Sequence, residues 1–131
     1  MNATTFLLLR LAIGASMLGH GVVRLPKLAA FSNWMVTSFQ QSMLPKALVL
    51  PFSYVLPIAE FLVGLLVVLG LFTKSALVAG GVVMILLIAG TTLIENWEAL
   101  GSQLIHVAFF AILVQYVQTA NLYSLDQLFK K

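Results

Sequence analysis

Ser75–Ile94 reads SALVAGGVVMILLIAGTTLI, twenty residues without one charged side chain. A bilayer's hydrocarbon core is about 30 Å thick and a helix rises about 1.5 Å per residue, so roughly 20 apolar residues make one crossing. The run is continuous, whereas barrel strands alternate over about ten residues, so it reads as a helix. Three further stretches match it in length. Thr5–Leu25 holds Arg10 and His20, Ala47–Phe72 carries the single charge Glu60, and Gly101–Thr119 contains His106 and Gln115. The pattern predicts an all-α membrane protein, one domain over residues 1–131, built as a four-transmembrane-helix bundle with spans at about 5–25, 50–72, 75–94 and 101–119.

Composition agrees. Of 131 residues 61% are hydrophobic and 8% charged, against about 45–50% and about 25% in soluble domains. Seven basic and four acidic side chains cannot cover the surface of a soluble fold this short, so the bilayer is the expected solvent. The absence of cysteine excludes disulfides, thiolate metal sites, iron–sulfur clusters and a dithiol relay within the chain; no metal site is expected. A net charge of +3 suits a few lysines at a headgroup surface better than nucleic acid. A cleaved signal peptide is disfavoured, because the N-terminus lacks a positive n-region and Arg10 interrupts the apolar stretch.

Pro26–Lys46 is too polar to cross. Leu28, Phe31, Met35, Phe39 and Met43 recur every three or four residues, with Ser32, Thr37, Gln40 and Gln41 off that stripe. This predicts an amphipathic surface segment with Trp34 near the headgroups, or a loop packed on the bundle end. Thr73–Lys74 is read as the hairpin between spans two and three. Ser124 and Gln127 have capping-box spacing and predict a short helix at about 125–131. Four spans put both termini on one side. Lys74, Lys130 and Lys131 then oppose Arg24, Lys27 and Lys46, so basic residues alone leave the orientation undecided.

An ionisable side chain at membrane depth costs at least ~2.5–3.5 kcal/mol at mid-helix and mostly faces protein. Arg10, His20, Glu60 and His106 are such groups. Measured from the span midpoints, both histidines fall in one membrane half and Glu60 lies between their level and Arg10. The expected arrangement is therefore one interior network, with Glu60 in reach of Arg10 or a histidine. Ser53, Pro57, Glu60 and Gly64 share one helical face. Pro57 frees the Ser53 carbonyl, and Gly64 permits a close neighbouring helix. The plain structural alternative is that Arg10 and Glu60 neutralise each other and fix register without chemistry.

Several segments together resemble the DoxX family of four-helix bacterial membrane proteins. They are Leu9-Arg10-Leu11 leading to His20-Gly21 and Lys27, Pro57-Ile58-Ala59-Glu60 with Gly64, Leu69-Gly70-Leu71-Phe72-Thr73-Lys74, and Tyr123-Ser124-Leu125-Asp126. The resemblance covers most of the chain. Leu65 stands where a second glycine is common, Lys74 where arginine is, and Asn121-Leu122 where Gly-Pro is frequent. These departures are expected to affect packing and turns rather than the polar network. The resemblance implies a bacterial cytoplasmic (inner) membrane protein with both termini inside. It also implies, for some relatives, a role as a quinone-linked redox subunit or an accessory protein in oxidative-stress complexes.

The leading expectation is an integral membrane subunit of such a complex. Glu60, His20 and His106 would relay protons, and Arg10, His20, Glu60, Gly64 and His106 would line a quinone pocket. With no electron carrier in the chain, catalysis would depend on a membrane or peripheral redox partner. Self-association in the membrane is left open. The alternatives are a non-enzymatic assembly or stability factor for other membrane proteins, and a small proton-coupled exporter. Haem held between His20 and His106 is the least supported cofactor, quinone the best.

Overall fold

A computed structural model describes residues 1–130; Lys131, in the segment read as a C-terminal helix, lies outside the described residues. The helices are α1 (Ala3–Arg24), α2 (Leu28–Ser38), α3 (Lys46–Leu69), α4 (Thr73–Leu93), α5 (Trp97–Ala120) and α6 (Leu125–Phe129), with a 3-10 turn at Leu25–Lys27 joining α1 to α2. α1, α3, α4 and α5 are each long and apolar enough to cross a membrane. The bundle is two antiparallel pairs, α1 on α3 and α4 on α5, packed against each other. Phe6, Ile13, Met17, Val67, Leu77, Phe110 and Leu113 meet where the pairs join. Exposed residues such as Leu8, Val22, Leu62, Val82, Ile85, Leu104 and Ile105 form the outer faces, the arrangement expected when lipid is the solvent.

Helices in lipid gain little from apolar burial and associate by close van der Waals approach, which small residues permit. A Cβ on Gly21 would lie 2.5 Å from the Phe61 amide nitrogen, and one on Gly64 would overlap the Leu18 backbone. These two contacts fix the register of α1 against α3. They put Glu60 opposite Val22, whereas Arg10 lies beyond the end of α3, beside Gly70. On the other pair, Gly80 receives the ring of Phe110.

The α3–α4 turn is Gly70–Phe72, so α4 begins at Thr73 and the Thr73–Lys74 hairpin assignment is corrected by two to three residues. Gly70 ends α3 at φ +68, and the Leu71 amide returns to the Leu66 carbonyl at 3.0 Å. This left-handed closure is one that glycine adopts without steric cost. Phe72 also has positive φ, at 47, which is costly for a bulky residue. Its amide donates to Asp126 Oδ1 at 2.7 Å and the Thr73 amide to Oδ2 at 2.8 Å, which holds the turn.

α6 forms, but the capping box does not. The Ser124 hydroxyl donates to the Asn121 carbonyl at 3.2 Å, and Gln127 Nε2 donates to the same oxygen at 2.9 Å. α2, at 11 residues, is too short to cross. It packs on the first half of α3, where the Ser32 and Ser53 hydroxyls bond at 2.7 Å. Of the expected apolar stripe, Met35 is buried and Phe31 and Phe39 are half-buried against α3, whereas Met43 lies beyond the helix and is exposed.

Candidate functional site

Glu60 faces the bundle interior, 2% exposed. Its partner is Arg24, at the end of α1. Arg24 Nη1 donates to both carboxylate oxygens, at 2.7 and 2.8 Å, and the guanidinium lies 4.6 Å from the Phe31 ring centroid. The expected pairing of Glu60 with Arg10 is not formed. In the observed register the two are twelve residues apart along α1, about 18 Å, which side chains cannot bridge.

Arg10 belongs to a second cluster at the opposite end. Its Nη1 donates to Asn121 Oδ1 at 2.6 Å, and Asn121 Nδ2 donates to Thr73 Oγ1 at 3.1 Å. Arg10 Nε is buried with no partner among the described residues. The Asp126 amide donates to the Gly70 carbonyl at 2.9 Å. The cluster thus ties α1, α3, α4, α5 and α6 together. Asn121, read from sequence as a change in packing and turns, is in fact Arg10's hydrogen-bond partner. In α6, at the chain terminus beyond α5, burial pushes the Asp126 carboxyl up. The Thr73 side-chain hydrogen bond and the Thr73 and Phe72 amides outweigh it, leaving the group below its ordinary value.

The histidines stand as their common level predicts. Their ring centroids are 6.2 Å apart, edge to face. Each Nδ1 lies 2.7 Å from a carbonyl four residues earlier, His20 at Ser16 and His106 at Ser102. A carbonyl only accepts, so both Nδ1 atoms carry the proton. In the neutral ring His106 Nε2 then accepts the Ser16 hydroxyl, at 2.7 Å. That leaves the atom a bis-histidine haem would require already filled.

His20, Arg24, Glu60 and His106 border one cavity of about 260 Å³, lined by residues of α1 to α5 and partly open to the outside. Phe31, Trp34, Phe39 and Phe52 supply an aromatic wall; Met17, Met35, Leu56 and Met84 are among the other apolar residues that line it. Gln103 Nε2 donates to Thr91 Oγ1 at 2.9 Å, while its Oε1 is buried without a partner among the described residues. His20 and Arg24 also border an outward groove with Ala15, Ser16, Gly19 and Val23, so these two side chains stand between the interior and the α1 outer face.

Of the residues expected at the site, His20, Glu60 and His106 come together. Arg10 does not join them, and Gly64 serves the α1–α3 contact instead of lining the cavity. Arg24, Ser16 and Gln103 are additions. Arg24 could have been found from its position beside the histidine level; its place at the span's end made it read as a surface charge.

A membrane bundle of four spanning helices, with a polar and aromatic cavity toward one end, is the class that fold and site define. The DoxX family model matches residues 5–95, and the chain belongs to the DoxX family. No curated protein and no solved structure matches it.

Proposed function

We propose that the protein is the membrane subunit of a quinone-linked redox complex, and that the cavity between His20, Glu60 and His106 receives the quinone headgroup. The observation that carries this is the cavity's composition. An aromatic wall faces a few convergent polar groups at membrane depth, which suits a flat, apolar ring bearing two oxygens. Arg24 supplies N–H donors and His20 an acceptor, while Glu60 and the histidines provide groups that exchange protons. Electrons come from a partner protein, since the chain has no cysteine and no nucleotide-binding fingerprint. Orientation with the termini in the cytoplasm follows the same reading. Lys74 and Lys130 lie on the terminal side. On the other side, with Lys27 and Lys46, Arg24 is committed to Glu60, which lowers the number of free basic residues there.

Trp34 borders the cavity and Trp97 does not. Decyl-ubiquinone added to the Trp97→Phe variant in nanodiscs should quench the remaining indole saturably. The Trp34→Phe variant should show only the linear quenching of quinone dissolved in lipid. Equal, non-saturating curves for both variants contradict the proposal.

A further inference from the structure

Ser16 touches both histidines at once. Its carbonyl accepts from His20 Nδ1, and its hydroxyl donates to His106 Nε2, each at 2.7 Å. His106 Nδ1 is in turn held by the Ser102 carbonyl. Three of the four imidazole nitrogens are thereby engaged, two as donors to carbonyls and one as acceptor from a hydroxyl. The fourth, His20 Nε2, has no hydrogen-bond partner among the described residues and carries a free lone pair. His20 borders both the interior cavity and the outward groove on α1. His106 is half-buried behind it. Of the other acceptors bordering the cavity, both oxygens of Glu60 are bonded to Arg24, and Gln103 Oε1, on α5, is buried without a partner among the described residues.

We infer that Ser16 is a positioning residue that gives the two histidines different roles. By filling His106 Nε2 it makes that ring a fixed support, and by anchoring His20 through its carbonyl it turns His20 Nε2 toward the ligand as the cavity's imidazole acceptor. The complementary ligand group is a hydroxyl. This inference rests on the quinone reading and narrows it: among quinone-type ligands, the hydroquinone form, which donates, meets His20, while the quinone form, which only accepts, does not. The charged groups that border the cavity with His20 are Arg24 from the same helix and Glu60 from α3. The α2 and α4 walls are neutral, with Phe31, Trp34, Met84 and Thr91.

Nitrogen NMR of ¹⁵N-histidine-labelled protein in nanodiscs at alkaline pH tests this. Without ligand, both rings should carry the proton on Nδ1. Ser16→Ala should move the His106 Nε2 resonance toward that of an unbonded acceptor, and Ser16→Thr, which keeps the hydroxyl, should restore it. Adding a decyl-substituted hydroquinone should shift His20 Nε2 and leave His106 unchanged; in Ser16→Ala it should shift both. A proton on Nε2 of either ring, an unmoved His106 in Ser16→Ala, or a hydroquinone response at His106 in the unaltered protein overturns the assignment. A silent His20 Nε2 overturns it also, even where decyl-ubiquinone quenches Trp34. If that quenching is absent as well, the quinone reading itself fails, while the ligand-free spectra still report separately on Ser16.

Discussion

Arg24 reaches the Glu60 carboxylate with one guanidinium nitrogen, 2.7 Å from one oxygen and 2.8 Å from the other, and in doing so joins the end of α1 to the middle of α3. Arg24 is 29% exposed and Glu60 2%, so the anion is the more deeply committed partner. Removing the cation leaves a buried carboxylate uncompensated, which typically costs ~3–5 kcal/mol. Arg24→Gln should therefore unfold markedly earlier in detergent melts, and Arg24→Gln with Glu60→Gln should recover part of the loss. A double substitution as unstable as the two singles combined would show that the pair is not coupled.

Arg10 should behave as an independent site. Widely separated residues add within about 0.5 kcal/mol, so a double-mutant cycle of Arg10→Gln and Glu60→Gln should give a coupling no larger than that. Arg10→Gln should couple instead to Asn121→Ala, its hydrogen-bond partner. Thermal or denaturant unfolding of the four proteins in each cycle reads both terms.

The crossings, the interior position of Glu60 and the common level of His20 and His106 were legible because each depends on hydropathy and helical rise alone. The Arg10 partner was not. Midpoint alignment of spans one and two sets Glu60 near residue 15, whereas Gly21 against Phe61 and Gly64 against Leu18 set it opposite Val22, a displacement of about 10 Å. The cause is α2, which takes the first turns of α3 for its own packing through Ser53, so α1 meets α3 further along. Hydropathy contains no such register, and only the glycine contacts do. The same displacement hid Arg24, whose place at the end of a span resembles that of an interfacial anchor.

Gly70 allows a simple test of the terminal cluster. Its φ is +68, and an added Cβ would sit 2.5 Å from Ser124 Cβ and 2.8 Å from Arg10 Nη1. Gly70→Ala should destabilise by more than ~1 kcal/mol, since strain and displacement of α6 act together. Limited proteolysis should then cut between Leu122 and Phe129 faster than in the unaltered protein. Equal cutting rates would indicate that α6 is not held by this turn.

Asp126 predicts a pH dependence for the same region. Its carboxyl lies below the ordinary value in the folded protein, so its contribution is present above the unfolded carboxylate value of about 3.9 and is lost as pH falls through the lower folded value. The α6 contact should persist through mildly acidic conditions and loosen only at stronger acidity. Asp126→Ala, which removes acceptors from the Phe72 and Thr73 amides, should cost about 0.5–2 kcal/mol at neutral pH, as other helix N-cap losses do. Hydrogen exchange at those two amides follows both effects.

Covalent mapping of a photoreactive quinone in the intact membrane tests the central claim most directly. With an azido-quinone as probe, light should attach label to peptides containing Phe31 and Trp34 and to those spanning Ala99–His106, which border the cavity. Excess unmodified quinone should abolish that labelling. Label placed instead on the α6 end, around Phe72 and Phe129, or labelling that excess quinone leaves undiminished, would contradict the assignment of this cavity as the site.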